Sequence, residues 1–175
     1  SGHHVPRLTL RGLPDPDLRM QRGVRMKIAM GSDHAGFQLK EEIKAFLIRE
    51  GYEVLDCGTD SSESVDYPDI AEKVAQEVLD REIPGILICG TGIGISIVAN
   101  KFAGIRAALC RSGFEARLAR EHNDANILAM GARITGSGLA EEIVHTFINA
   151  DFTGGRHQRR VDKIKMLEKN CRERS

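Results

Sequence analysis

The chain carries no charge excess, no membrane-length apolar run and no paired cysteines. Over 175 residues, lysine plus arginine equals aspartate plus glutamate, 25 each, for a formal net charge of zero. That balance argues against broad electrostatic attraction to nucleic acid or anionic membrane and leaves room only for local charged clusters. No apolar stretch approaches the roughly 20 residues that span a bilayer. The four cysteines, Cys57, Cys89, Cys110 and Cys171, stand apart, with no CxxC pair and no metal-ligand spacing. With no apolar targeting stretch ahead of them, they read as reduced thiols of a cytoplasmic protein. No internal repeat or low-complexity tract is visible, and the length suits one domain with a sizeable core.

Residues 1–25, "SGHHVPRLTLRGLPDPDLRMQRGVR", have proline punctuation and no sustained periodicity. They read as a tag remnant or an upstream extension, His3 and His4 included, so the domain is placed at 26–170 with a short tail over 171–175. From Met26 onward, short apolar runs alternate with helical periodicity. "KIAMGS", "YEVLDCG", "GILICG", "IRAALC" and "NILAMG" are the strand candidates. Helices are expected over 36–50, where Phe37, Leu39, Ile43, Phe46 and Leu47 share a stripe that Gly51 ends, and from Asp69 to Arg81. Further helices follow the glycine loop, span "GFEARLAREHN", and lie near 137–149 and 157–169. Strands that are apolar throughout and alternate with helices predict a three-layer, doubly wound α/β sandwich, Rossmann-like, around a five-stranded parallel sheet.

In such a sheet, ligands bind beyond the carboxyl ends of the strands. Asp33 and His34 follow the first strand, Cys89 and its glycines the third, and Gly131 to Arg133 the fifth. His122, Asn123 and Asp124 stand at a helix end, which the strand-end rule does not place. The loop "CGTGIGIS" is no dinucleotide fingerprint: GxGxxG begun at Gly90 or Gly92 requires a glycine where Ile95 or Ile97 stands. The next strand, "IRAALC", also lacks the ribose-binding acid, and there is no GK[ST] ending for a P-loop. What remains is a nest of backbone amides at a helix N-terminus, suited to a small anion or a developing oxyanion, or else a close-packed turn with no ligand.

Cysteines in parallel strands are ordinarily inert small hydrophobes, the reading given to Cys57 and Cys110. Cys89 differs because it meets unpaired amides and the positive end of a helix, which favour a thiolate able to act as base or nucleophile. The final cluster is "GGRHQRRVDKIK", where Arg156 and Arg160 lie four residues apart on one helix face. Its two readings are a solvated basic helix and a phosphate clamp built from aligned guanidiniums beside a glycine turn.

"GSDHAGFQLK", "DYPD", "LICGTGIGISIVANKFAGIRAAL", "REHNDANILAMGAR" and "GGRHQRRV" follow one another in that order. Together they resemble the type B ribose-5-phosphate isomerases, of the sugar-phosphate isomerase family that includes allose- and galactose-6-phosphate isomerases. The resemblance runs from Met26 to the C-terminal helix. It implies interconversion of D-ribose 5-phosphate and D-ribulose 5-phosphate through ring opening and a cis-enediolate, with no metal and no cofactor. By similarity, His122 opens the ring while Asp33 and His34 contact the sugar. Cys89 takes the C2 proton and returns it at C1. The loop of Gly90, Thr91, Gly92, Ile93 and Gly94 holds the enediolate, with the Thr91 hydroxyl close to the chemistry. Asn123 contacts the sugar, and Arg133, Arg156 and Arg160 hold the phosphate.

Some family members lack the cysteine and use a glutamate just after the glycine loop. That position is Ile95 here, which accepts no proton, so the resemblance is to the cysteine-base branch. It also implies a homodimer with the site between subunits, alone or paired into a tetramer, and a place in cytosolic pentose phosphate metabolism. Two alternatives remain: an isomerase preferring a six-carbon 6-phosphate, and a sugar-phosphate binding module without turnover. Retention of both Cys89 and His122 speaks against the binding module, since binding alone needs neither.

Overall fold

A computed structural model describes residues 26–174, so the stretch read as an extension, 1–25, lies outside the described residues. Five strands, β1 (Lys27–Ser32), β2 (Glu53–Asp56), β3 (Gly85–Cys89), β4 (Ala107–Leu109) and β5 (Ile127–Gly131), form one sheet. Their order is β2-β1-β3-β5-β4 and every neighbouring pair is parallel. Six helices accompany them: α1 (Phe37–Arg49), α2 (Tyr67–Arg81), α3 (Ile93–Ala99), α4 (Gly113–Asn123), α5 (Ser137–Asn149) and α6 (Arg156–Glu173). This is the three-layer doubly wound sandwich expected from the pattern.

Alternation along the strands divides the core in two. Ile28, Met30, Ile86, Ile88, Leu128 and Met130 point to one face and are covered by α1, α4 and α5 through Ile43, Leu47, Ala116, Ile143 and Phe147. Ala29, Leu87, Cys89, Ile127 and Ala129 point to the other, under Ile70, Val74 and Val78 of α2 and Ile95 and Ala99 of α3. Burial on both faces is why these strands read as unbroken apolar runs. The helices sort by the direction of each step: α1 and α4 join strands stepping one way, α2 and α3 strands stepping the other, as a uniform crossover hand requires. The direction reverses between β1 and β3. That reversal opens a crevice at their carboxyl ends.

The elements differ from expectation at their edges. Helix α2 starts at Tyr67, two residues early, because Pro68 fits a first helical turn, where no partner for its missing N–H is needed. Strand β4 keeps three of the six residues of "IRAALC": before it, the Arg106 amide goes instead to the side chain of Asn126, at 2.8 Å. Helix α6 continues through Cys171 to Glu173, past the expected end at 169.

Candidate active site

At the switch point, three chain segments meet around Cys89. The cysteine ends β3, only 5% exposed, and its Sγ accepts a hydrogen bond from the Gly92 amide at 3.1 Å. Gly92 has φ +79°, and a Cβ there would stand 2.5 Å from Leu109 Cδ1 and 2.8 Å from the Met130 carbonyl carbon. Only glycine satisfies both the left-handed turn and the close approach. Thr91 Oγ1 accepts the Ile93 amide at 3.2 Å, so its own O–H remains available to donate. Two of the loop's amides, those of Gly92 and Ile93, are thus directed at Cys89 and Thr91.

The end of β5 clamps this loop from beside it. Ala132 donates to Cys89 O at 2.9 Å and Arg133 to Gly90 O at 3.0 Å. A Cβ on Gly131 would lie 2.5 Å from the Thr91 carbonyl, so the two loops are in direct backbone contact. The exposed Arg133 guanidinium lies alongside Gly90, with Cζ 3.4 Å from where a Cβ would be.

The end of β1 supplies the opposite wall. Asp33, 7% exposed, donates its amide to Ile88 O at 3.2 Å, while its Oδ1 accepts the Gly36 amide at 3.1 Å. His34 Nδ1 accepts the Val65 amide at 3.3 Å, which ties the loop before α2 to the crevice and places the neutral ring's N–H on Nε2. Tyr67, which sequence reasoning quoted only within "DYPD", reaches over the loop: its ring and hydroxyl stand 2.8–3.0 Å from a Cβ built on Gly94. No local periodicity encodes that contact, because it joins the first turn of α2 to the first turn of α3 across space.

The remaining expected residues gather elsewhere. Helix α4 runs back from the carboxyl edge of the sheet, so His122 and Asn123 in its last turn lie at the amino edge. Strand β5, with Gly131 paired to Cys89 and Ile127 to Gly85, separates the two edges by about 13 Å at 3.3 Å per residue. Asp124 ends α4 in the left-handed conformation at φ +47°. Its carboxylate accepts from the buried Arg120 guanidinium at 2.9 Å, and Arg120 also donates to Ala125 O at 2.6 Å. Thr153 donates twice to Glu121 O, at 3.0 Å from its amide and 2.8 Å from its hydroxyl, which brings the start of α6 to the end of α4. There the His157 ring stacks on His122, centroids 4.2 Å apart and planes 9° apart. Arg156 and Arg160 flank this pair, and their positive charge is felt at His157.

The crevice therefore holds Asp33, His34, Cys89, Gly90 to Gly94 and Arg133, while His122, Asn123, Arg156 and Arg160 form a second group at the opposite edge of the same sheet. The other core thiols are chemically distinct from both groups. Burial, then the charge of Glu77, pushes Cys57 up to about 11, and burial, then Glu115, pushes Cys110 up to about 12. Among the described residues, no cluster of three or more histidine, cysteine, aspartate or glutamate side chains is placed to hold a metal ion. None of the described helices is long and apolar enough to cross a membrane.

Comparison with known proteins places these residues in context. Residues 28–164 match the family model described as Ribose/Galactose Isomerase. The chain is 55% identical over 143 residues to ribose-5-phosphate isomerase B of Escherichia coli, covering 81% of this chain and 96% of that protein. Among solved structures, it is similar to a ribose-5-phosphate isomerase B from Clostridium thermocellum, with a TM-score of 0.82 and 58% identity over 83% of this chain and 99% of that one. A ribose 5-phosphate isomerase from Thermotoga maritima gives a TM-score of 0.80 and 56% identity, over 82% and 99% of the respective chains.

Proposed function

This chain belongs to the ribose/galactose isomerase family, and from that membership we infer the reaction its site performs. It is an aldose–ketose isomerase that interconverts D-ribose 5-phosphate and D-ribulose 5-phosphate. His122 opens the furanose, taking the proton of the anomeric hydroxyl and delivering one to the ring oxygen. Cys89 then removes the C2 proton, whose bonding electrons form the C1–C2 double bond while the carbonyl electrons move onto O1. A proton passes from O2 to O1, with the Thr91 hydroxyl as its neighbour. The C2 carbonyl forms and Cys89 returns its proton to C1.

The costly species is the enediolate. The peptide N–H groups of Gly90, Thr91 and Gly94, with the Thr91 hydroxyl, are its donors, and a well-aimed donor of this kind is worth roughly 10²–10³ in kcat. Asp33 and the Nε2–H of His34 bind sugar hydroxyls from the β1 side. Arg133 takes the phosphate together with Arg156 and Arg160.

Because the two groups stand at opposite edges of one sheet, the reaction requires two copies. His122, Asn123, Arg156 and Arg160 of a second copy close over the crevice around Cys89, so a homodimer carries two shared sites. Ile93 and Ile97, 52% and 56% exposed and one turn apart on α3, give the crevice an apolar margin for that copy to cover.

The observation that carries the base assignment is the hydrogen bond from Gly92 to Cys89 Sγ at the switch point, a contact that fixes the sulfur at the mouth of the loop. A coupled assay with ribose 5-phosphate tests it. Cys89→Ala is expected to lose about 10²–10⁴-fold in kcat, the usual worth of a positioned base. Cys57→Ala and Cys110→Ala, removing a half-buried and a buried thiol outside the crevice, should keep it. Near-normal turnover by Cys89→Ala would overturn the assignment.

A further inference from the structure

We infer that His157 is a positioning residue for His122: lying flat against it, the His157 ring fixes the plane in which the ring-opening proton is passed. The inference rests on the ring-opening role proposed for His122. A histidine's second side-chain torsion is broad and roughly two-fold, so a catalytic imidazole needs a contact that selects one orientation. That contact is commonly a hydrogen bond from one ring nitrogen to a carboxylate or carbonyl. Among the described residues, neither ring nitrogen of His122 makes one. The nearby acids are engaged elsewhere. Glu121 meets Arg117 at 3.4 Å, and Asp124 meets Arg120 at 2.9 Å and Arg106 at 3.4 Å. What His122 has is a ring 4.2 Å away and 9° from parallel.

The surroundings suit His157 to this task. Partial loss of water, then the charges of His122, Arg156 and Arg160, hold its imidazole below the ordinary range. The flat His157 ring is an aromatic plate, and such a plate accepts a cation on its face as His122 takes the anomeric proton. A protonated His157 would instead repel it. The neighbours on α6 are the two arginines assigned to the phosphate, so the helix that grips the substrate's tail also sets the ring that works at its head.

The test compares His157→Ala with His157→Phe, which keeps a flat ring but loses both nitrogens. Two substrates are used: ribose 5-phosphate, and D-erythrose 4-phosphate, whose phosphorylated C4 oxygen cannot close a furanose. His157→Ala is expected to lower kcat on ribose 5-phosphate roughly tenfold, since small misplacements of a reacting group cost up to about 10²-fold, with KM little changed. Turnover of erythrose 4-phosphate should stay near that of the parent, and His157→Phe should recover most of kcat on the pentose. A raised KM without rescue by phenylalanine would mean that His157 binds substrate itself. Equal losses on both substrates would mean only a packing role. Either result overturns the inference. His122→Ala in the same series separates the two levels. Selective loss there with no effect of His157→Ala removes only the role of His157, whereas undiminished pentose turnover by His122→Ala removes the ring-opening assignment and the inference with it.

Discussion

Replacing Gly92 with alanine strikes the point where loop geometry and chemistry coincide. The residue sits at φ +79°, where an L side chain costs about 1–2 kcal/mol. Its new methyl would lie 2.5 Å from Leu109 Cδ1 and 2.8 Å from the Met130 backbone. The leucine tip can swing aside, but Met130 lies within the paired strand β5, so overpacking adds roughly 1–3 kcal/mol. The sum, about 2–5 kcal/mol, should lower Tm by roughly 4–20 °C at 2–4 °C per kcal/mol for a domain of this size. Activity should fall further than stability explains, because the Gly92 amide would leave Cys89 Sγ. A hydrogen bond to a charged group is worth about 1.5–3 kcal/mol, so kcat measured well below Tm should drop tenfold to a hundredfold. Gly138→Ala is the control: it lies in α5 with nothing within 4 Å of the added carbon, and should gain about 0.4–1 kcal/mol. If the two variants proved alike in Tm and kcat, the account of the loop would be wrong.

Two further perturbations address other parts of the molecule. Asp56 accepts from the fully buried Lys40 at 2.6 Å; burial alone would raise its carboxyl, but hydrogen bonds from Lys40, Gly58 and Lys44 outweigh this and hold it below its ordinary value. Its contribution to stability is therefore present above about pH 4, the unfolded value, and is lost as pH falls through the folded one. Asp56→Asn should cost about 1–3 kcal/mol at neutral pH, since the buried Lys40 then keeps only Glu41, at 2.9 Å, as an ionic partner, and should flatten the acid limb of a denaturation profile; an unchanged midpoint would contradict this. At the basic cluster, Arg156→Ala and Arg160→Ala should each raise KM for ribose 5-phosphate about tenfold to a hundredfold, with Arg159→Ala much milder and Arg156→Lys an incomplete substitute. Equal effects at all three positions would make the cluster a solvated face.

The parallel sheet was legible because β1, β3 and β5 are buried on both faces and so read as continuous apolar runs. The insertion of β5 between β3 and β4 was not, since strand order depends on which crossover each helix takes and not on any local pattern. In the site, the strand-end rule located Asp33, His34, Cys89 and Arg133, residues at or just past the carboxyl ends of strands β1, β3 and β5. It gave no position for His122, Arg156 and Arg160, although a helix feeding a parallel strand must end at the amino edge. Tyr67 over Gly94 and His157 against His122 are contacts between distant segments. Composition and periodicity carry no trace of them, and only the folded chain reveals them.

The central claim is that one working site joins the crevice of one copy to the amino-edge group of another. Cys89→Ala and His122→Ala should each be inactive alone on ribose 5-phosphate. When the two variants are co-expressed or exchanged, each mixed dimer should regain one site with both residues intact and hold one site with neither. Random pairing in a two-fold dimer gives half mixed dimers, so activity should recover to about a quarter of the parent enzyme's. The measurement is kcat per subunit of the mixture against its two parents. Recovery toward that quarter is the predicted result; activity no greater than the sum of the separate variants, in a mixture verified to contain mixed dimers, would contradict the shared site.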